Sequence, residues 1–307
     1  MINKKALIVF HRVDSDGLCS MCIAKHALED DGYVVDLIGY NYEDNIPDLI
    51  EDRKGYSYNL LFMVDIGFPA DIMLDIWKHY KRNFIWCDHH VSSIELSIEN
   101  NYSDIIGLRS IDLSACELTW KFFYGDQKIP EFITLIGIND MWRKDEVSEE
   151  IWENKIIPLQ FGIRSRYGVV PDKWLNDFYN MLFWENRTKE LIEEGLVLKK
   201  YQDRVNKSII KNFSFPVTVN NKYKGICVIG TSFSSNIFKS VINEYDIYII
   251  CNRKDSNVYS ISMYKELDRV PEFSIAGYKN FKGHKSAGGC LIAVSYTHLT
   301  LPTTSRV

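Results

Sequence analysis

Ala6-Leu7-Ile8-Val9-Phe10, followed at once by His11-Arg12-Val13-Asp14-Ser15-Asp16-Gly17, decides how this chain folds. A continuous apolar run of strand length, without polar alternation, suits a strand buried on both faces. A helical pattern takes over from Leu18 to about Glu29. Strand, polar loop and helix in that order open an α/β unit with a doubly wound, mainly parallel sheet. Ligands of such sheets lie beyond the carboxyl ends of the strands, where His11, Asp14 and Asp16 stand. The competing reading of this loop is a plain turn in which Asp14 or Asp16 caps the helix and Gly17 relieves the backbone.

The same design recurs. Tyr33 to Tyr40 reads as a second strand, and an acidic, proline-containing segment runs on to Lys54. Leu60 to Val64 is an apolar run that ends in Asp65, with Gly67 and Pro69 introducing a helix over Ala70 to Tyr80. Asn83 to Cys87 is the next strand, and it ends in Asp88-His89-His90. Ser114-Ala115-Cys116-Glu117 has the form of a capping box that opens a helix. Phe132 to Ile138 is helix or strand by pattern alone, and it ends in Asn139-Asp140-Met141-Trp142. Each acidic group taken singly reads as a cap or a surface charge. Four of them, each closing an apolar run, imply one shared site.

The chain has 307 residues, 46% hydrophobic and 25% charged, with a net charge of -5. That is room for two domains, and no global basic field points to long nucleic acid. The apolar run near the amino terminus is too short for a signal peptide, and no window approaches the roughly 20 residues that span a bilayer. The seven cysteines are irregularly spaced and read as reduced thiols in a cytoplasmic protein; Cys19-x-x-Cys22 reads as packing. His26 and His79 lie on amphipathic helices as surface residues.

From Arg143 to Glu153 the charged run reads as a solvated connection, and Trp174 to about Asn212 as long amphipathic helix. The expected organisation is a catalytic, metal-binding domain over 1–165, a helical linker over 166–212 and a smaller α/β domain over 213–294. In that last domain strands are expected at Phe215 to Val219, Lys224 to Ile229, Ile247 to Cys251 and Val258 to Met263, with a helix at about Ser235 to Asn243. Near its end, Gly283-His284-Lys285-Ser286-Ala287-Gly288-Gly289 could let backbone N–H groups approach an anion while His284 and Lys285 donate from the side. A glycine-rich surface turn is the competing reading. Residues 295–307 extend no earlier pattern and read as a non-native tail.

His11, Asp14, Asp16, Asp65, His89 and Asp140 together supply two imidazoles and four carboxylates. Hard oxygen donors mixed with nitrogen suit Mn²⁺, with Mg²⁺ the alternative, better than a thiolate-type zinc site. Six donors exceed what one ion with open positions needs. Two ions sharing a carboxylate would use them, clamp the oxygens of an in-line displacement at phosphorus and acidify a bridging water. His90 could then donate to a phosphoryl oxygen, and Asp88 could orient a histidine from behind.

His11-x-x-Asp14-x-Asp16-Gly17, Asp65, Asp88-His89-His90 and Asp140-Met141-Trp142 resemble the four ordered motifs of the DHH phosphoesterase superfamily. The loop around His284, with the strand Ser260 to Tyr264 before it, resembles that superfamily's DHHA1 carboxyl-terminal domain, as found in nanoRNase and oligoribonuclease-like members. The resemblance implies hydrolysis of phosphodiester bonds in short oligonucleotides or dinucleotides, in a cleft between the two domains. It also implies His11, Asp14 and Asp65 on one ion and Asp16, Asp65, His89 and Asp140 on the other, with Asp65 as the bridge. Asp88 and His90 would serve the chemistry, and Gly283, His284, Lys285, Gly288 and Gly289 would hold substrate. Two departures bear on the substrate: Phe281 and Lys282 interrupt the family's glycine run, and Tyr264 stands where some relatives carry arginine. The alternatives are a pyrophosphatase or polyphosphatase of the same superfamily, and a noncatalytic nucleotide-binding module.

Overall fold

In the computed structural model the chain is described at residues 4–42, 44–46, 58–183, 185–255, 257–265, 270, 275, 282–283 and 287–293. It divides into two units, Met1–Lys199 and Lys200–Val307.

The first unit opens with β1 (Lys4–His11), α1 (Ser15–Asp30), β2 (Tyr33–Tyr40), β3 (Leu60–Val64), α2 (Ala70–Tyr80) and β4 (Phe84–Cys87). The four strands are all parallel, in the order β2-β1-β3-β4. Alternation along each strand feeds two cores. Ala6, Ile8, Phe10, Phe62, Val64 and Cys87 face one, packed with α1; Leu7, Val9, Leu61, Met63, Phe84 and Trp86 face the other, packed with α2. With both faces covered, β1, β3 and β4 cannot alternate polar and apolar residues, which is why they read as unbroken apolar runs. The sheet is α/β and doubly wound, as expected.

The chain leaves β1 towards β2 on one side and resumes with β3 on the other, so the topological switch point lies between β1 and β3. Register aligns the strand ends: Phe10 pairs with Val64, and Val64 with Cys87. The next residues, His11, Asp65 and Asp88, therefore emerge side by side, with neighbouring strands roughly 4.8 Å apart.

Next come α3 (Val91–Glu99), α4 (Ala115–Tyr124), α5 (Glu131–Asp140), α6 (Glu149–Ile151), α7 (Ile157–Arg166), α8 (Pro171–Phe183) and α9 (Glu185–Phe213). The apolar run at Phe132 is a helix. Its pattern is ambiguous because Phe132, Ile133, Leu135, Ile136 and Ile138 are all buried, leaving no polar face to reveal a period. The capping box at Ser114 is present. Two expectations need correction. Arg143 to Glu153 is not a solvated connection, because Arg143 pairs at 2.6 Å with buried Glu117 and Trp152 is buried in the first core. Trp174, Phe178, Met181 and Leu191, within the stretch read as a linker, also belong to that core.

The second unit carries a six-stranded mixed sheet in the order β5-β6-β7-β8-β10-β9. Its strands are β5 (Ser214–Val219), β6 (Tyr223–Gly230), β7 (Ile247–Arg253), β8 (Val258–Lys265), β9 (Lys282–Gly283) and β10 (Ala287–Ala293). Among the described residues the one parallel pair of this sheet, β6 with β7, is joined through a 3-10 segment at Ser235–Val241 where a helix was expected. Two of its residues, Ile237 and Phe238, pack against Val228 and Ile250, which ties the short crossover to the sheet.

Candidate metal centre

The loop after β1 folds back because Asp14 caps α1, its carboxylate accepting from Gly17 N–H at 2.9 Å. Gly17 is required there: a Cβ would lie 2.1 Å from the His11 carbonyl oxygen. Capping does not take Asp14 out of the cluster, because the same carboxylate also stands 2.6 Å from His11 Nδ1.

Asp65 follows β3 with φ 59°, a left-handed conformation that Asp tolerates better than most residues. Its side chain is 2% exposed. One oxygen stands 3.5 Å from His11 Nδ1 and the other 3.1 Å from His89 Nε2, so the carboxylate lies between two donor sets. His89 Nε2 is also 3.4 Å from Asp140 and 3.7 Å from Asp16. Potential ligand atoms fall within 4.8 Å of one another in three groups: His11, Asp14 and Asp65; Asp16, His89 and Asp140; and Asp65, His89 and His90. All six residues expected to bind metal are thus brought together.

Asp88 plays a different part. Its Oδ1 accepts from the His89 and His90 amides at 2.9 and 3.3 Å and contacts His90 Nδ1 at 2.7 Å. The side chain therefore locks the loop and holds the His90 ring rather than that of His89. Asp88 itself is held from the far side, its backbone N–H donating to the Leu108 carbonyl and its C=O accepting from Ser110. Arg109 steadies that strip by donating to the carbonyls of Trp86, Ser103 and Ile105 at 2.7 to 3.0 Å.

The electrostatics describe a cluster that needs positive charge. Burial, together with the negative charges of Asp16 and Asp65, pushes the Asp140 carboxyl up to about 8. Burial first, and then Asp16, pushes Asp65 well above the usual carboxylate range. Burial pulls His11 down, but Asp14 and Asp65 outweigh it and lift the imidazole to about 10. His90 is raised in the same way, burial being outweighed by Asp88 and Asp65, whereas Asp14 is lowered because its contacts with His11 and Gly17 outweigh burial.

The donor set fits a divalent ion on a further ground. His11 Nδ1 is buried without a well-oriented hydrogen bond, although two carboxylates stand close. A ring nitrogen drawn to two carboxylates at once points into the cluster, as a metal-ligating imidazole does.

Some features were not legible in sequence. Both oxygens of Asp16 accept backbone N–H groups at the start of α4, from Ala115 at 2.8 Å and Cys116 at 2.9 Å. The contact spans 99 and 100 residues, and no local pattern announces it. Tyr42, just beyond the end of β2, lies 5.7 Å from the His11 ring and 6.1 Å from that of His90. Its position after a fourth strand end was the available signal. Among the residues expected to hold substrate, Gly288 and Gly289 pair with Gly283 and Lys282 across β10 and β9. His284 and Lys285 lie outside the described residues, as do residues 295–307.

Residues 5–138 match the DHH family, N-terminal domain. An uncharacterized protein of Acanthamoeba polyphaga mimivirus is 24% identical over 92% of this chain. The chain spans 66% of that relative's length. Among solved structures, the DHH domain of a member of a family of ribosomal proteins aligns over 95% of this chain and 83% of its own, at 12% identity and a TM-score of 0.59. The exonuclease RecJ bound to manganese aligns over 95% and 86% at 13% identity, with a TM-score of 0.44. At 12% identity the likeness to the first of these structures bears on fold alone. The stretch that matches the DHH family, N-terminal domain, includes every donor of the cluster except Asp140.

Proposed function

We propose that this chain is a metal-dependent phosphoesterase that hydrolyses phosphodiester bonds in short oligonucleotides or dinucleotides. The observation that carries this reading is the Asp65 carboxylate, whose two oxygens face different donor sets, one on the His11 side and one on the His89 side. Two divalent ions, Mn²⁺ by the donor chemistry, would supply charge neutralisation at phosphorus and a water acidified for in-line attack. The protein's own groups do the rest. Asp65 holds the two donor sets in register, and Asp16 is anchored on the amino terminus of α4, where a carboxylate is favoured. His90, fixed by Asp88, keeps a raised pKa and presents a donor at the rim, where it would hold a phosphoryl oxygen. Gly283, His284, Lys285, Gly288 and Gly289 are assigned to substrate binding on their motif, in a DHHA1-like domain.

The test compares rates on a two-residue RNA and on pyrophosphate, with Mn²⁺ and with chelator. Mn²⁺-stimulated cleavage of the RNA is expected, abolished by Asp65→Asn and His89→Ala. The Asn variant is preferred at position 65 because it tolerates the left-handed backbone. A chain that binds Mn²⁺ yet turns over no oligonucleotide, dinucleotide or pyrophosphate would sink the proposal.

A further inference from the structure

Beside the metal centre, within the first unit, is a cavity of about 130 Å³. Its polar lining includes Asp14, Asp16 and Asp140 together with Ser15, Asn139, Gln160 and Arg164. Ile136 and Ile163 supply apolar surface. The volume is well below the roughly 300 Å³ at which pockets for drug-sized ligands begin, so it has room for one small ring.

Gln160 is held by one end only. Ser15 Oγ donates to its Oε1 at 3.2 Å, whereas its Nε2 is buried and has no hydrogen-bond partner among the described residues. A buried amide N–H without a partner is costly, and a bound group that accepts from it recovers that loss. Asp14, Asp16 and Asp140 are already assigned to metal and Arg164 is exposed, so the buried lining group without a partner among the described residues is the Gln160 amide. The lining thus calls for a group with an acceptor atom. Its proximity to the metal ligands restricts that group to the part of a substrate adjoining the reacting phosphoryl group.

We propose that this cavity is a subsite for the uncharged ring, ribose or base, of the nucleoside next to the scissile phosphate, held by a hydrogen bond from Gln160 Nε2. The inference rests on the phosphoesterase reading above and adds a specificity determinant to it. A substrate without a nucleoside, such as pyrophosphate, leaves the cavity unfilled.

Gln160→Ala tests it. The position is inside α7 (Ile157–Arg166), where Ala is the best helix former, so the variant keeps its fold. With Mn²⁺, the ratio of KM for a two-residue RNA to KM for pyrophosphate should rise about five- to tenfold, with kcat on the RNA held within about twofold. Gln160→Glu, which removes the donor and adds a charge, should raise the ratio further. If wild type cleaves the RNA and Gln160→Ala leaves the ratio unmoved, the subsite is overturned and the phosphoesterase reading stands. If wild type cleaves neither compound, that reading fails, and equilibrium binding of the same RNA in Ca²⁺ buffer decides the subsite. Weaker binding by the alanine variant would support it; equal binding would overturn it.

Discussion

Neutralising Asp140 should make the metal-free protein more stable while weakening its response to metal. The Asp140 carboxyl is pushed up to about 8 by burial and by the charges of Asp16 and Asp65, against about 3.9 for an unfolded aspartate. A raised folded-state pKa means that the folded chain retains a proton the unfolded chain has lost, so stability falls as pH rises from about 4 to about 8. About three pH units separate the unfolded pKa from pH 7; at roughly 1.4 kcal/mol per unit, the ceiling is about 4 kcal/mol. Asp16 and Asp65 share the same repulsion, so removing one charge recovers part of it, about 2 kcal/mol. The carboxylate also stands in the last turn of α5, where the helix dipole disfavours negative charge.

The assay is urea unfolding of wild type and Asp140→Asn in EDTA between pH 5 and pH 8. All seven tryptophans lie between Trp77 and Trp184, so tryptophan fluorescence reports the first unit by itself. At pH 8 the variant should be more stable by about 2 kcal/mol, or ~4–8 °C in Tm, and the gain should shrink below about 1 kcal/mol at pH 5. With saturating Mn²⁺ the order should reverse, since a ligand at 100 times its Kd adds about 2.7 kcal/mol to the chain that binds it. A variant that is less stable in EDTA at every pH, or that gains as much from Mn²⁺ as wild type, would refute the picture of an acidic cluster awaiting cations.

Other outcomes follow from the same geometry. Mn²⁺ binding should release protons, because Asp65 and Asp140 are raised and His11 is lifted to about 10; calorimetry in buffers of different ionisation enthalpy should show affinity rising with pH between 6 and 8, and pH-independent affinity would contradict it. Gly17→Ala should cost about 2 to 4 kcal/mol and weaken Mn²⁺ binding, because the new Cβ would lie 2.1 Å from a backbone oxygen that is itself fixed in β1; thermal melts and metal titration check this. Arg109→Met should cost about 2 to 4 kcal/mol by stripping three backbone carbonyls of their donor, and a loss below about 0.5 kcal/mol in urea unfolding would show that the strip beside Asp88 holds itself.

The legibility of the site followed burial. Leu60 to Val64 and Phe84 to Cys87 are covered on both faces, so their sequences are unbroken apolar runs, and the first polar residue after each marks a strand end. Because register is parallel and the ends align, residues separated by more than fifty positions could be assigned to one place before any contact was known. Helix α5 resisted because a helix buried all round has no period to read. Arg143 and Trp152 misled for the opposite reason: a charged run looks solvated, yet Glu117 and the first core draw it inwards. Tyr42 offered only its place after a strand end, and Gln160 carried no signal, since one amide in a helix is unremarkable until its neighbours are known.

By itself the sequence determined which segments become buried strands, which residues stand at their ends and that those residues have the chemistry of a hard-cation site, because each of these depends on local pattern and residue type. Only the tertiary structure decided that Asp16 is tied to the amino terminus of α4, that Asp88 serves His90, that Asp65 divides its oxygens between two donor sets and that a cavity with an unpaired amide opens beside them. Those facts depend on contacts between distant segments and on side-chain direction to within about an ångström, which packing decides and no local pattern encodes.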